Sequence, residues 1–162
     1  MNMEKHINLS SRSAYMHLRH IGSIRGYLTP EATKSLVHGL VTSRLDYCNS
    51  LLAGIAQTQI AKLQRVQNTA ARIITRSPRC DHIRPVLREL HWLLVSSRIE
   101  FKILMITFKA LHDLAPSYIK DLLIPYNASR TLRSQNSMML VIPRTRTVTY
   151  GDRSFHKTAP TL

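Results

Sequence analysis

Acidic residues are scarce in this chain, and they are scattered. Its 162 residues include 9 Asp and Glu against 23 Lys and Arg. A two-metal catalytic centre needs clustered carboxylates that hold the ions about 3.5–4 Å apart, and no Asp-Asp pair occurs here. The sequence therefore predicts no catalytic residues, and no enzymatic activity for this chain alone.

Other absences concern ligands. Cys48 and Cys80 lack CxxC spacing, which argues against a disulfide framework or a zinc ribbon. The five glycines form no GxxxxGK(S/T) or GxGxxG loop, so no phosphate cradle is expected. His17 and His20 could share a helix face, but no carboxylate or cysteine stands at supporting spacing. We expect no cofactor and no metal site in this chain.

Long apolar runs are missing too. No run approaches the roughly 20 residues that span a bilayer, and residues 1–6 lack the apolar core of a signal peptide. We therefore expect an intracellular protein, nuclear or cytoplasmic and not secreted, without a membrane partner.

What the chain has in excess is positive charge. Its net charge is +14, and arginine outnumbers lysine. Such a field attracts polyanions, and the planar guanidinium suits phosphate because it donates bidentately and stays ionised. This composition favours RNA, DNA or an RNA–DNA hybrid as the partner, although a basic solvated surface without a specific partner has the same composition.

The apolar spacing predicts a mostly α fold, a helical bundle, up to about residue 124. Within it, Thr29-Pro30-Glu31 indicates a helix start, with a Thr cap, a proline at the first position and an acid near the positive helix end. Gly54 indicates a stop. The expected helices cover residues 12–26, 30–52, 57–76, 85–90, 97–114 and 116–123.

The clearest amphipathic helix is expected at residues 57–76. Its apolar stripe contains Ile60, Leu63, Val66, Ala70 and Ile73, and a basic stripe is expected beside it. Including the following residues up to position 92, this stretch holds seven basic and two acidic residues. The candidate nucleic-acid-binding residues are Lys62, Arg65, Arg72, Arg76, Arg79, Arg84 and Arg88. A solvated helix face remains the alternative interpretation.

A second long helix is expected to begin with the capping box Ser97-Arg98-Ile99-Glu100 and to end near Leu114. It is apolar on most sides, which predicts a central buried element. Trp92, just before it, is expected to anchor the core.

Beyond Pro125 the chain changes character. Residues 138–142 and 145–150 are short β-prone runs separated by Pro143, so an irregular, partly extended segment is expected. We predict a helical domain at residues 1–124 and a basic C-terminal extension at 125–162. Tyr126, Tyr150 and Phe155 could stack bases there, or pack in a core. The basic residues of this extension include Arg130, Arg133, Arg144, Arg146, Arg153 and Lys157.

Several segments together carry a resemblance. The main pair is Thr42-Ser43-Arg44-Leu45-Asp46-Tyr47-Cys48-Asn49-Ser50-Leu51-Leu52 and Lys62-Leu63-Gln64-Arg65-Val66-Gln67-Asn68. Further along come Leu90-His91-Trp92-Leu93, Arg98-Ile99-Glu100-Phe101 and Leu114-Ala115-Pro116-Ser117-Tyr118. In this order and spacing they resemble the C-terminal, thumb and post-thumb, region of reverse transcriptases from LINE-type (non-LTR) retrotransposons.

The resemblance implies a part of an RNA-directed DNA polymerase that grips nucleic acid and lacks the catalytic palm. In such enzymes the palm, with its Tyr-Ala-Asp-Asp motif, precedes this region, so no catalytic residue carries over to this chain. Magnesium is expected only with the missing palm, which becomes a possible partner. The binding role is implied only regionally, for Lys62, Arg65, Arg72 and Arg76. Nothing in the sequence indicates an oligomeric state.

Three alternatives stay open. The chain could be a non-enzymatic module that binds a protein through its leucine-rich helices, or a translated, non-functional remnant of a transposable element. An independent enzyme would require folding to assemble a carboxylate or Cys-His cluster, for which Asp46 and Asp81 are the residues to test.

Overall fold

The computed structural model describes residues 3–126, 139–148 and 150–162, and within these ranges the regular structure is helical. Apart from one isolated antiparallel bridge between Pro125 and Leu140, no strand occurs in the described part of the chain. The mostly α prediction is therefore confirmed. The helices are α1 Met3–Ile24, α2 Pro30–Val37, α3 Ser43–Asp46, α4 Gln57–Thr75, α5 Ile83–Glu89, α6 Val95–Leu111, α7 Ser117–Lys120 and α8 Phe155–Thr161.

The chain divides into two compact units, Met1–Arg98 and Ile99–Leu162. The division falls inside α6. The expected boundary at residue 124 marks a change of composition along the chain and stays a prediction.

The first unit is a helical bundle built around α4, against which α1, α2 and α5 pack. Helix α1 begins nine residues before the predicted start, and Ile7 in this added stretch is fully buried. Leu18 and Ile21 are buried, whereas Tyr15 and Ile24 are exposed. The buried side chains of α4 are Ile60, Leu63, Val66, Gln67, Ala70, Ala71 and Ile74.

The cap of α2 is confirmed. The Thr29 side chain accepts a hydrogen bond from the Ala32 amide at 3.2 Å, and Pro30 occupies the first turn. The predicted single helix to Leu52 is interrupted instead. A π-helical turn at His38–Thr42 leads into α3, and a 3-10 turn at Asn49–Leu52 follows. Gly54 then adopts φ 68°, the left-handed conformation expected of a stop.

The start of α6 corrects the predicted capping box. The helix begins at Val95, so Ser97 lies inside its first turn. The Val95 amide donates to Oε1 of Gln64 on α4 at 2.9 Å. A side chain 31 residues away in the sequence thus satisfies an amide at the start of this helix.

The expectation that α6 is a central buried helix is wrong. Ile99, Ile103 and Ala110 are buried, but Phe101 and Phe108 are each 57 % exposed. Only one side of the helix is covered in the described structure.

The second unit contains the rest of α6, α7 and α8. Pro116 precedes α7 as predicted. Next to the Pro125–Leu140 bridge, the Tyr126 amide donates to the Met139 carbonyl at 2.8 Å and the Val141 amide to the Ile124 carbonyl at 2.9 Å. Helix α8 was not predicted. It begins after Ser154, whose carbonyl accepts from the Thr158 amide at 2.9 Å, and Pro160 lies near its end.

Candidate nucleic-acid interface

Helix α4 carries the first predicted site residues. At about 100° per residue, Arg65 and Arg72 project from the side opposite the buried residues, not from a stripe beside them, and Lys62 flanks the buried face. The end of the apolar stripe also differs, because Ile74 is buried and Ile73 only partly so. The arginines of α4 therefore stand on the face turned away from the core.

Two predicted site residues are engaged within the bundle. Lys62 donates to Oδ1 of Asn8 on α1 at 2.9 Å and lies 3.9 Å from the Glu4 carboxylate. Arg76 follows the end of α4 with φ 58° and donates to the Arg25 carbonyl at 3.2 Å. Lys62 links α4 to α1, and Arg76 turns away from the helical row to which the sequence assigned it.

Arg72 orders the connection between α4 and α5. Its guanidinium donates to the Pro78 carbonyl at 3.3 Å and to the Asp81 carbonyl at 3.0 Å. These bonds hold the turn that carries Arg79 against the end of α4. Arg72 thus stabilises the turn between α4 and α5.

The remaining predicted residues form the exposed set. Arg65 on α4, Arg79 in the turn, and Arg84 and Arg88 on α5 are all exposed. None of these four guanidinium groups has an ion pair or a hydrogen bond within residues 3–126, 139–148 and 150–162. Since α5 packs on α4, these residues belong to adjoining elements. We call Arg65, Arg79, Arg84 and Arg88 the exposed arginine set.

Arg25 has a structural role that was not predicted from the sequence. Its side chain is buried and donates to the carbonyls of Ile73, Leu28 and Ile74, each at 2.9 Å. A guanidinium at the C-terminal end of α4 satisfies carbonyls that the helix leaves free and complements its dipole. The signal was available, because an arginine amid apolar helical spacing needs a polar partner when it is buried.

The surface depression next to Arg25 is electrostatically mixed. It has a volume of about 640 Å³, and Lys34, Arg76, Glu31 and Glu89 all line it. Because cations and carboxylates alternate there, this depression is less suited to a polyanion than the exposed arginine set.

A second polar cluster joins several of the motif residues. Asp46 accepts from Nη1 of Arg98 at 3.0 and 2.8 Å, and that guanidinium lies 5.7 Å from the ring centroid of Trp92. Trp92 is buried, as predicted for a core anchor, and its ring meets His38 edge-on at 5.6 Å. The pKa of His38 is lowered by burial first and then by Lys34 and Arg98, with Asp46 opposing.

Helix α4 supports this cluster through two glutamines. Gln67 donates to the Leu93 carbonyl at 2.7 Å, and its Oε1 accepts from Gln64 at 2.9 Å. Residues from four of the segments quoted for the resemblance therefore meet in one cluster, joined by these hydrogen bonds. Asp46 belongs to this cluster, whereas Asp81 is exposed in the turn after α4.

The C-terminal basic residues are partly engaged. Lys157 lies 3.8 Å from the Asp152 carboxylate and donates to the Pro143 carbonyl at 3.4 Å. Arg144 and Arg146 are exposed, while the predicted Arg130 and Arg133 lie outside the described residues. Of the tyrosines considered for base stacking, Tyr126 and Tyr150 are exposed.

In residues 3–126, 139–148 and 150–162, no group of three or more His, Cys, Asp or Glu side chains is arranged to hold a metal ion. No helix in the same ranges is long and apolar enough to cross a bilayer.

Comparison with protein-family models, with curated proteins and with solved structures found no match to this chain.

Proposed function

We propose that this chain binds RNA, DNA or their hybrid by phosphate contacts, as a thumb-like fragment of a LINE-type reverse transcriptase without its palm. The observation that carries the proposal is the exposed arginine set. Its four guanidinium groups lie on α4, on the turn that follows it and on α5. They face solvent and have no carboxylate partner within the described residues. Arginines in this state can each donate to phosphate without first breaking an internal bond.

The bundle gives this surface a rigid support. Helix α4 buries one face in the core and presents Arg65 on the other. Arg72 fixes the turn that carries Arg79. The helices and the turn fix the backbone positions of these arginines, so binding has to order only their side chains. Phosphate contacts of this kind tolerate any base sequence.

The proposed activity is binding alone. We propose no polymerase chemistry for the isolated chain, because the segments it resembles follow the palm. Magnesium would enter only with that palm, which would also be a protein partner.

The test is a titration with a labelled RNA–DNA hybrid, followed by fluorescence anisotropy over a range of salt concentrations. Log affinity should fall linearly with log salt, by roughly 0.7–0.9 per phosphate contacted. Replacing Arg65, Arg84 and Arg88 by Gln should reduce the slope by about two to three. Arg72 is left intact, because its loss would disturb the turn.

A matched control removes charge elsewhere. Arg12 and Arg19 are exposed on α1, and replacing both by Gln lowers the net charge without touching α4 or α5. The two variants are compared by the change in salt slope per charge removed. If this change is as large for the α1 control as for the variant of Arg65, Arg84 and Arg88, the exposed arginine set is not the binding surface. Absence of binding at low salt by the folded chain would refute the function itself.

A protein-binding module is the second candidate, favoured by one observation on α6. Phe101, Leu104 and Phe108 are exposed at spacings of three and four residues, which places them on one helix face. The test of this module is the pair of variants Phe101→Ser and Phe108→Ser, examined for self-association and for hybrid binding. If they change neither, while replacing the exposed arginine set lowers the affinity for the hybrid, nucleic-acid binding is favoured over this module. A chain without a cooperative unfolding transition would instead indicate a non-functional remnant.

A further inference from the structure

A groove between α1 and α3 is lined by apolar, aromatic and hydroxyl side chains as well as an arginine, and so differs from the exposed arginine set. It is an open depression with a volume of about 550 Å³. His6, Leu9, Ser13, Arg44 and Tyr47 line it, together with two further serines. The described residues that line the groove include one arginine, one histidine and no carboxylate.

Local structure explains why these residues meet. His6, Leu9, Ser10 and Ser13 recur at three- and four-residue spacing and share one face of α1. The neighbouring face buries Ile7, Ala14 and Leu18. Glu4 is the nearest carboxylate on α1, but Nε2 of Gln59 donates to it at 3.0 Å and Lys62 of α4 lies 3.9 Å from it. The groove face of α1 is therefore left without negative charge.

Tyr47 and Arg44 form the other wall. The Tyr47 amide donates to the Ser43 carbonyl at 3.0 Å and closes the last turn of α3, and the next residue, Cys48, turns the chain with φ 51°. The Tyr47 side chain is nevertheless 70 % exposed. Nη1 of Arg44 donates to Oγ of Ser13 on α1, which holds the guanidinium at the groove. Within the described residues its other N–H groups have no hydrogen-bond partner.

We propose that this groove binds one base of a single-stranded nucleic acid, with Tyr47 as the stacking surface and Arg44 as the contact to the adjoining phosphate. An exposed aromatic ring beside an aliphatic side chain can stack on a flat base. The arginine bonded to Ser13 can contact the phosphate next to that base. Base stacking on aromatic side chains is also tolerant of sequence. The inference rests on the proposed function and adds a single-stranded segment to the nucleic acid that the chain engages.

The test compares two labelled single strands of equal length and charge, an oligothymidylate and an abasic chain of the same sugar-phosphate units. The wild-type chain should bind the oligothymidylate about five- to hundredfold more tightly. Tyr47→Ala should abolish this preference and leave the affinity for the abasic strand unchanged, whereas Tyr47→Phe should retain it. Arg44→Gln should weaken both strands and reduce the salt slope by about 0.7.

Tyr27 provides the control, because it is 93 % exposed and does not line the groove. Tyr27→Ala should keep the full preference for the base-containing strand. If the wild type binds both strands equally, or if Tyr47→Ala retains the preference, the groove is not a base site, although the arginine surface still stands. If neither strand nor the hybrid binds, both proposals fail.

Discussion

Arg25 is 9 % exposed and donates to three backbone carbonyls, whereas Arg65 and Arg88 stand in solvent. Residues of one type thus perform two tasks. Arg25, Arg72 and Arg98 satisfy carbonyls or a carboxylate inside the bundle, and the exposed arginine set does not. Tests of binding must separate these groups, because replacing a buried arginine leaves its acceptors without donors and costs stability.

Asp46 and Asp81 form a matched pair of aspartates for such a separation. Asp46→Asn removes the charge that Arg98 contacts at 2.8 Å. Because the Asp46 side chain is 40 % exposed and Asn can still accept a hydrogen bond, we expect the free energy of unfolding to fall by about 1 kcal/mol. Asp81→Asn alters an exposed side chain and should change it by no more than about 0.5 kcal/mol. Urea unfolding followed by the fluorescence of Trp92, the single tryptophan, measures both. Equal effects would contradict the assigned role of Asp46.

His38 should make stability fall in acid. Its pKa lies below the ordinary 6.5 in the folded chain, first because of burial and then because of Lys34 and Arg98. As the pH falls below about 6.5 the unfolded chain therefore takes up this proton first, and stability is lost until the folded-state pKa is passed. Above that window the two states hold the group neutral, and it contributes no pH dependence.

The measurement is urea unfolding of the wild type and of His38→Gln between about pH 7.5 and 5. The wild type should lose more stability over this range than the variant, whose curve should be flatter. His82→Gln alters an exposed ring and should run parallel to the wild type. A His38→Gln curve parallel to the wild type would exclude the proposed coupling.

At the scale of elements, α4 organises the first unit through apolar and polar contacts of its core side. Its apolar residues anchor α1, α2 and α5, and its glutamines reach the segment that starts α6. This second function explains why Gln67 is buried on the core side of an otherwise apolar stripe. At the start of α6, the Val95 amide is satisfied by Gln64 and not by a cap from Ser97.

Gln67→Met should therefore be costly although it preserves size and helix propensity. It removes one of the two donors to the Leu93 carbonyl, the other being Arg98, and an acceptor for Gln64. We therefore expect a loss of about 0.5–1.5 kcal/mol in the free energy of unfolding. The Val95 amide should also exchange its hydrogen somewhat faster, since Gln64 then keeps only Asn68 of the two acceptors that orient it. Gln57→Met, at an exposed position of the same helix, should change neither quantity.

For the whole molecule, the dominant quantity is a net charge of +14. Four ion pairs involve lysine or arginine within the described residues, which leaves most of the positive charge unpaired there. Self-repulsion of this kind opposes the compact state, and salt screens it over a Debye length of about 10 Å at 0.1 M.

Raising sodium chloride from about 0.02 to 0.2 M should thus raise the midpoint of thermal unfolding by a few degrees. Replacing Arg65, Arg84 and Arg88 by Gln should shrink this increase, because the unpaired charge is smaller. Sucrose at matched osmolarity controls for effects of the solute that are not electrostatic. A midpoint that falls with salt would show that attractive pairs, and not repulsion, dominate the charge interactions.

The sequence by itself determined the features that depend on neighbouring residues. The helix at Gln57–Thr75, the cap at Thr29 and the stop at Gly54 follow from side-chain spacing and backbone preference, which act within a few residues. The excess of arginine between positions 57 and 92 is equally a property of the sequence.

Only the tertiary structure decided which polar groups meet. Gln64 and Val95 are 31 positions apart, Asp46 and Arg98 are 52 apart, and Arg25 and Ile74 are 49 apart. Such bonds are set by the packing of helices, and periodicity within one helix carries no information about its neighbours. For the same reason the sequence marked seven basic residues as one surface, whereas the fold engages Lys62, Arg72 and Arg76 internally and leaves the exposed arginine set facing solvent.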